Sequence, residues 1–284
     1  MIRFAILGCE NSHANNFLRI IKDNPEYSDF SCVGVYSNER EASEKLAEEF
    51  GVSATDSYDE FVGKVDAIVV TARHGDWHHT FAMPYVKAGI PMFIDKPFTI
   101  KRQLADELIN ECKANCVPVC GGSSLRFLKE FKDFKEFISG KVIQGGWVSA
   151  PVSMENPHGG FAFYCHHLIE MLLTGFGTEV RSVYAKCNDT SKNNITVIFS
   201  YDDFEVAGHY YGNYHYAAGV FTDNGNYSFD TEDLGGIFEA EFAEFAQMCR
   251  TGKMPADYDR ILLPVKIACA IEQSYTENRE VTIL

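Results

Sequence analysis

Through its first 120 residues the chain alternates short, wholly apolar runs with amphipathic ones, and no other feature limits the fold so strongly. The apolar runs are "IRFAIL" at 2–7, residues 30–36, "DAIVVTA" at 66–72, "PMFID" at 91–95 and "VPVCGG" at 117–122. Between them, residues 14–22, 39–50, 78–88 and 100–115 carry helical spacing, and "EREASEKLAEEF" is a run of strong helix formers stopped by Gly51. Strands that are apolar on both faces and separated by helices need a parallel sheet covered on both sides. Residues 1–121 are therefore expected to form a doubly wound α/β domain of the Rossmann type. Ligands of such sheets sit at the carboxyl ends of the strands.

After residue 122 the pattern changes. Helices are expected near 127–138 and 166–173, followed by the β-rich stretches "RSVYAKC", "NITVIFSY", "FEVAGHYYG", "AGVFTDNG" and "NYSFD". Asp-Asp, Gly-Asn and Asn-Gly pairs punctuate them as hairpin turns do. Helices near 237–250 and 259–276 precede a short final strand. Residues 122–284 read as a second, α+β domain built on an open, mainly antiparallel sheet. The tyrosine-rich "GHYYGNYHYAAGVF" is a candidate face for self-association, so a homo-oligomer, dimer or tetramer, is expected through this sheet.

A formal charge of −15 argues against nucleic acid or an anionic membrane as a partner. No apolar run approaches the length of a membrane span, and the first residues lack the pattern of a leader peptide, so the cytoplasm is the expected location. The nine cysteines are odd in number and scattered, which suits buried thiols in a reducing compartment. Cys112, Cys116 and Cys120 are the tightest group, but Pro118 ends the helix before Cys120, and no metal site is expected.

Four stretches carry chemistry. In "LGCENSHANNF" the first strand turns into a helix, the place of a glycine-rich phosphate loop, yet only Gly8 stands where such a loop has three glycines. Glu10 and His13 occupy the other two positions, Asn11 and Ser12 lie between them, and Ser12 is placed to cap the helix. At the end of the second strand, Ser37 stands where an NAD-selecting carboxylate is usual, while Arg40 is close enough to meet a 2′-phosphate. That tilts the expected cofactor toward NADP or dual use. "IDKPF" sets Lys96 at the end of a buried strand, where a lysine can polarise a substrate oxygen. In the helix of "YCHHLIEMLL", His166 or His167 shares a face with Glu170, and one of the two histidines suits a proton carrier better than a metal ligand.

Taken in order, these segments resemble the glucose–fructose oxidoreductase/inositol dehydrogenase/rhizopine-catabolism (Gfo/Idh/MocA) family of NAD(P)-dependent enzymes. "AGIPMFIDKPF" is similar to the family's "AGKHVLCEKP", "GGSSLRF" to "GHNRRF", and "HLIEMLLTGFG" to "HLIDLALWLLG". The resemblance implies a small-molecule substrate and hydride transfer between NAD or NADP and a sugar, polyol or related hydroxy compound. It places the catalytic lysine on Lys96 and the catalytic histidine on His167 rather than His166. Cofactor contacts are expected from Gly8, Glu10, Asn11, Ser12, His13, Ser37, Arg40, Thr71, His74, Trp77, His78, Asp95 and Lys96. Substrate contacts are expected from Ser123, Ser124, Arg126, Tyr164 and His166. Two departures stand out: the glycine-poor first loop, and Phe163 where the family often has an aspartate four residues before its histidine. They leave room for rival readings, a non-catalytic ligand-sensing protein on the same fold, or a lyase or hydrolase using transient nicotinamide redox or a metal.

Overall fold

Five crossovers lay down a six-stranded parallel sheet. Its strands are β1 (Ile2–Leu7), β2 (Phe30–Tyr36), β3 (Ser53–Ala54), β4 (Ala67–Val70), β5 (Met92–Asp95) and β6 (Val119–Gly122), in the order β3-β2-β1-β4-β5-β6. The helices of the crossovers are α1 (Ser12–Asp23), α2 (Arg40–Phe50), α3 (Asp76–Lys87) and α4 (Arg102–Ala114). The central strands are buried on both faces, as their unbroken apolar runs require. Gly51 closes α2 in the left-handed region, at φ 68°. The strand order reverses between β1 and β4, and in doubly wound sheets that reversal opens the ligand crevice at the carboxyl edge. The computed structural model describes residues 1–187 and 193–283; Leu284, the end of the expected last strand, lies outside them.

The second sheet has seven strands. They are β7 (Ile143–Pro151), β8 (Ser182–Cys187), β9 (Ile195–Ser200), β10 (Glu205–Tyr211), β11 (Tyr216–Thr222), β12 (Gly225–Thr231) and β13 (Val281–Thr282), in the order β12-β11-β7-β10-β9-β8-β13. All neighbours are antiparallel except β7 and β10, so the sheet is mixed but mainly antiparallel. The helix expected over 127–138 divides into a 3-10 turn, Ser124–Phe127, and α5 (Glu130–Ile138). The helix around the paired histidines is longer than its apolar spacing indicates: α6 spans Phe161–Phe176 and packs on β7 and β10.

Two terminal helices follow, α7 (Ile237–Thr251) and α8 (Tyr258–Glu277). By contacts the chain forms two units, Met1–Gly122 with Phe238–Leu262, and Ser123–Ile237 with Leu263–Leu284. A single division near residue 121 leaves α7 with the second sheet, whereas its apolar stripe packs in the core of the first. The Phe242 ring lies 5.2 Å from that of Phe17 and 4.8 Å from that of Tyr27, and the Phe245 ring lies 6.2 Å from that of Phe4. Nothing local to the α7 sequence records which sheet its stripe will cover. The nine cysteines are free thiols. Among the described residues no helix is long and apolar enough to cross a membrane, and no cluster of three or more His, Cys, Asp or Glu side chains could hold a metal ion.

Candidate active site

The first loop is tied to the strands on either side of β1. Gly8 adopts φ 83°, and a Cβ there would collide with the backbone of Ala72. Its N–H and that of Cys9 both donate to the Tyr36 carbonyl, at 2.7 and 3.2 Å. Thr71, fully buried, donates its hydroxyl to the Gly8 carbonyl at 3.0 Å. Asn11 caps α1: its side-chain oxygen accepts the His13 N–H at 3.0 Å while its amide donates to the Thr71 carbonyl. Ser12, the expected cap, is instead the first helical residue. The N-terminus of α1, with its unsatisfied amides and positive dipole end, is thereby held at the carboxyl edge of the sheet, where a dinucleotide's phosphates bind.

Glu10 turns toward the end of β2. One carboxylate oxygen accepts the Ser37 hydroxyl at 2.7 Å, and the other accepts the Arg73 N–H at 2.9 Å. The Arg73 guanidinium donates to the Glu10 carbonyl and lies 3.3 Å from Glu39. Arg40 is engaged elsewhere: it pairs with Glu44 at 2.6 Å and with Asp56, and donates to the Thr55 carbonyl at 3.3 Å.

His13 does more than fill a glycine's space. Its ring is buried against Phe238, 4.9 Å between centroids, with Nδ1 3.3 Å from Asp95 and Nε2 3.1 Å from Glu241. Both carboxylates are almost wholly buried. Burial works against the imidazolium, but the charges of Asp95 and Glu241 outweigh it and raise the His13 pKa. Three elements, α1, β5 and α7, thus meet on one ion-paired ring.

Asp95 also accepts the Lys96 N–H at 2.6 Å, and the Lys96–Pro97 peptide is cis. Behind it His78 is fully buried, with Nδ1 2.8 Å from the Pro97 carbonyl and Nε2 2.8 Å from that of Ala72. Burial pushes the His78 pKa below its usual value. His78 therefore links the ends of β4 and β5 as a structural brace, beneath the cofactor edge on which it was expected to act. The Asp76 carboxylate accepts the Ile100 and Lys101 N–H groups, each at 3.2 Å, and closes the same turn. His74 accepts the Asp76 N–H at 3.4 Å, and Trp77, 45% exposed, stacks on Phe81 at 5.8 Å.

In the second unit α6 buries His166, His167 and Glu170. The fully buried Ser123 places its hydroxyl 2.7 Å from His167 Nδ1 and accepts the Leu125 N–H at 3.2 Å. A hydroxyl can donate to a bare ring nitrogen or accept from a protonated one, so Ser123 suits either state of His167. Expected as a substrate contact, it lies beside the histidine expected to be catalytic. Adjacent helical residues diverge by about 100°, so His166 and His167 face different surroundings. The Tyr164 ring lies 5.4 Å from that of His167, and its hydroxyl accepts a hydrogen bond from the Tyr214 hydroxyl at 3.0 Å. Burial and the Tyr214 neighbour hold the Tyr164 pKa well above its usual value. Phe163 packs between Tyr164, at 4.9 Å, and His158, at 5.7 Å, so an aromatic cluster fills the aspartate's position. Ser124 is buried, and the Arg126 guanidinium lies 4.3 Å over the Phe127 ring.

Among the residues of these constellations that escape the sequence are Arg73 and Glu241. Arg73 follows an apolar strand with no pattern to mark it. Glu241 leaves a signal: an acid three residues after Phe238 and four before Phe245, on the stripe that α7 buries.

A strand-order reversal, a helix N-terminus at the crevice and a strand-end lysine are features of a dinucleotide-binding fold. Residues 2–122 match the model of the Gfo/Idh/MocA family, described as an oxidoreductase family with an NAD-binding Rossmann fold. Over those residues the chain is similar to that family's NAD-binding domain. Over 141 residues, 49% of the chain and 42% of the relative, it is 29% identical to scyllo-inositol 2-dehydrogenase (NADP(+)) IolU of Bacillus subtilis (strain 168). The match covers less than half the length of the curated relatives found. The fold extends further. Myo-inositol 2-dehydrogenase from Lactobacillus plantarum superposes with a TM-score of 0.86 at 16% identity, covering 100% of this chain and 99% of that one. Scyllo-inositol dehydrogenase from Lactobacillus casei, solved with NAD(H) and scyllo-inositol, gives 0.85 at 13% identity with the same coverage.

Proposed function

We propose that the protein is an NAD(P)-dependent dehydrogenase acting on a polyol or a sugar-like hydroxy compound. The observation that carries this reading is the brace around Lys96. Asp95 holds the Lys96 backbone N–H, and His78 bonds the Pro97 carbonyl. A lysine so fixed at the carboxyl edge of a parallel sheet suits an oxygen on which charge develops. The first loop suits a dinucleotide: Gly8 lets it pack against the backbone of Ala72, and Asn11 holds the N-terminus of α1 in place.

A nicotinamide held by the first loop and the sheet edge would supply the hydride acceptor or donor for the carbinol carbon. In the oxidative direction His167 takes the hydroxyl proton as the C–H bond breaks and the C=O bond forms. Lys96 would polarise a substrate oxygen as charge develops on it. Ser123 keeps the His167 ring oriented throughout. Gly8, Glu10, Asn11, Ser12 and His13 from the first loop, with Ser37, Thr71, His74, Trp77, His78 and Asp95, make or support the cofactor side. Ser124, Arg126, Tyr164 and His166 serve the substrate side. The polyol class follows the inositol dehydrogenases among the similar proteins, one of which is named for NADP(+) and another of which holds NAD(H).

The test is a fluorescence titration with NADH and NADPH, followed by a panel of inositols and sugars scored for cofactor reduction. Binding of one cofactor and reduction by at least one polyol is expected; binding of neither cofactor sinks the reading. Phe163 in the aspartate's position favours a second reading, a ligand-binding protein without turnover, and cofactor binding with no hydride transfer across the panel is its signature. The second sheet also leaves Tyr184 and Phe221 exposed, which supports self-association through that sheet, measurable by light scattering.

A further inference from the structure

We infer that Glu10 is the carboxylate that selects NAD(H) over NADP(H), delivered from the first loop instead of from the end of β2. This rests on the dehydrogenase reading above and concerns its cofactor alone.

In dinucleotide folds an acid about 20 residues beyond the glycine loop accepts a hydrogen bond from the adenosine ribose 2′-hydroxyl, and a nearby arginine admits a 2′-phosphate instead. Here that position is Ser37, buried at the end of β2 and unable to carry charge. The carboxylate of Glu10 stands on it, 2.7 Å from the Ser37 hydroxyl. Its other oxygen is fixed by the Arg73 N–H. Glu10 is therefore an organised acceptor at the β2 edge. A side chain at the second glycine position that pointed into the crevice would obstruct phosphates; this one is folded back by two hydrogen bonds.

The surrounding charge points the same way. Both guanidinium groups near this edge are engaged: Arg40 has the carboxylates of Glu44 and Asp56, and Arg73 has the Glu39 carboxylate and the Glu10 backbone carbonyl. The shallow groove around Arg40 is lined by Glu39, Arg40, Glu41, Ala42 and Lys45, two cations against two anions. A 2′-phosphate brought here meets no surplus positive charge and approaches the Glu10 carboxylate. A 2′-hydroxyl meets an acceptor. Arg40, the residue that favours NADP in the sequence, is directed to other partners.

The experiment is a titration of the full chain with NADH and with NADPH by nicotinamide fluorescence, with thermal shifts as a second readout. NADH should bind at least about tenfold more tightly. Glu10→Gln keeps the side chain's size but removes its charge, and should bring the two affinities within about threefold by admitting NADPH. Glu10→Gln with Ser37→Asp returns a carboxylate to the β2 end and should restore the preference. Equal or tighter NADPH binding by the unaltered protein overturns the inference, and so does an unchanged ratio in Glu10→Gln. If the variants fail to fold, the ratio of the unaltered protein still decides. Failure to bind either cofactor sinks the dehydrogenase reading as well, whereas NADH-selective binding without turnover on any polyol sinks that reading alone.

Discussion

His13 stands 3.3 Å from Asp95, so the residue in the third glycine position of the first loop is ion-paired to the residue that precedes Lys96. Glu241 holds the other side of the ring at 3.1 Å. A glycine there would leave two buried carboxylates without their shared cation. The loop is glycine-poor because two of its positions have been given electrostatic work, His13 inward toward β5 and α7, and Glu10 outward toward β2.

That pairing makes stability depend on pH. The His13 pKa is raised, so its contribution is complete below the ordinary value of 6.5 and is lost as pH rises through the folded value. His78 behaves oppositely: its pKa is lowered, so its contribution is complete above 6.5 and is lost as pH falls. Asp95, Glu241 and Lys96 are the charges that act on the His13 ring. Replacing His13 by Gln strands the two carboxylates and should cost about 3 kcal/mol near pH 6. The deficit should shrink toward pH 9. Urea unfolding at the two pH values measures it, and an equal deficit at both would mean that the ring is neutral.

Lys96→Ala should lower turnover by a factor on the order of 10² or more if the lysine has the proposed role of polarising the reacting oxygen. NADH affinity should stay within about threefold, because the first loop and the end of β2 are untouched. The backbone contacts of Lys96 do not involve its amine, so the fold should be retained. Unchanged steady-state turnover would remove Lys96 from the chemistry.

Ser123→Ala removes the hydroxyl beside His167 without opening the site to water, because the serine is fully buried. A buried ring nitrogen left without its partner costs about 1–3 kcal/mol. In kinetics the loss should fall on kcat, by about tenfold, with KM little changed, and Ser123→Thr should recover most of it. A variant that raises KM alone would make Ser123 a substrate contact and not a positioning residue.

The parallel sheet was legible because its strands are apolar on both faces and its helices carry 3.6-residue spacing, both local properties. "IDKPF" and the paired histidines stood out for the same reason: each sits at the end of a recognisable element. The destination of α7 was not legible, since its stripe of Phe238, Phe242 and Phe245 suits either sheet and only long-range packing chooses. Nor could the sequence say where Glu10, His13 and Arg40 turn. Those directions depend on Ser37, Arg73, Asp95, Glu241 and Asp56, which lie from 16 to 228 positions away.

Gly8 offers a test of the loop with an internal control. Gly8 and Gly51 both have positive φ, 83° and 68°, so alanine is strained at either. They differ in surroundings: a Cβ at Gly51 meets nothing within 4 Å, whereas one at Gly8 strikes the backbone of Ala72. Gly51→Ala should therefore cost only the conformational penalty, about 1 kcal/mol. Gly8→Ala adds a collision with backbone that cannot rotate aside, and forcing β1 and β4 apart should bring the total to about 3 kcal/mol or more. The same displacement shifts the Thr71 and Tyr36 contacts that set the loop, so NADH binding should weaken in Gly8→Ala and hold in Gly51→Ala. Equal unfolding free energies for the two variants would show that β1 and β4 can separate without cost, and that the close approach at Gly8 does not shape the site.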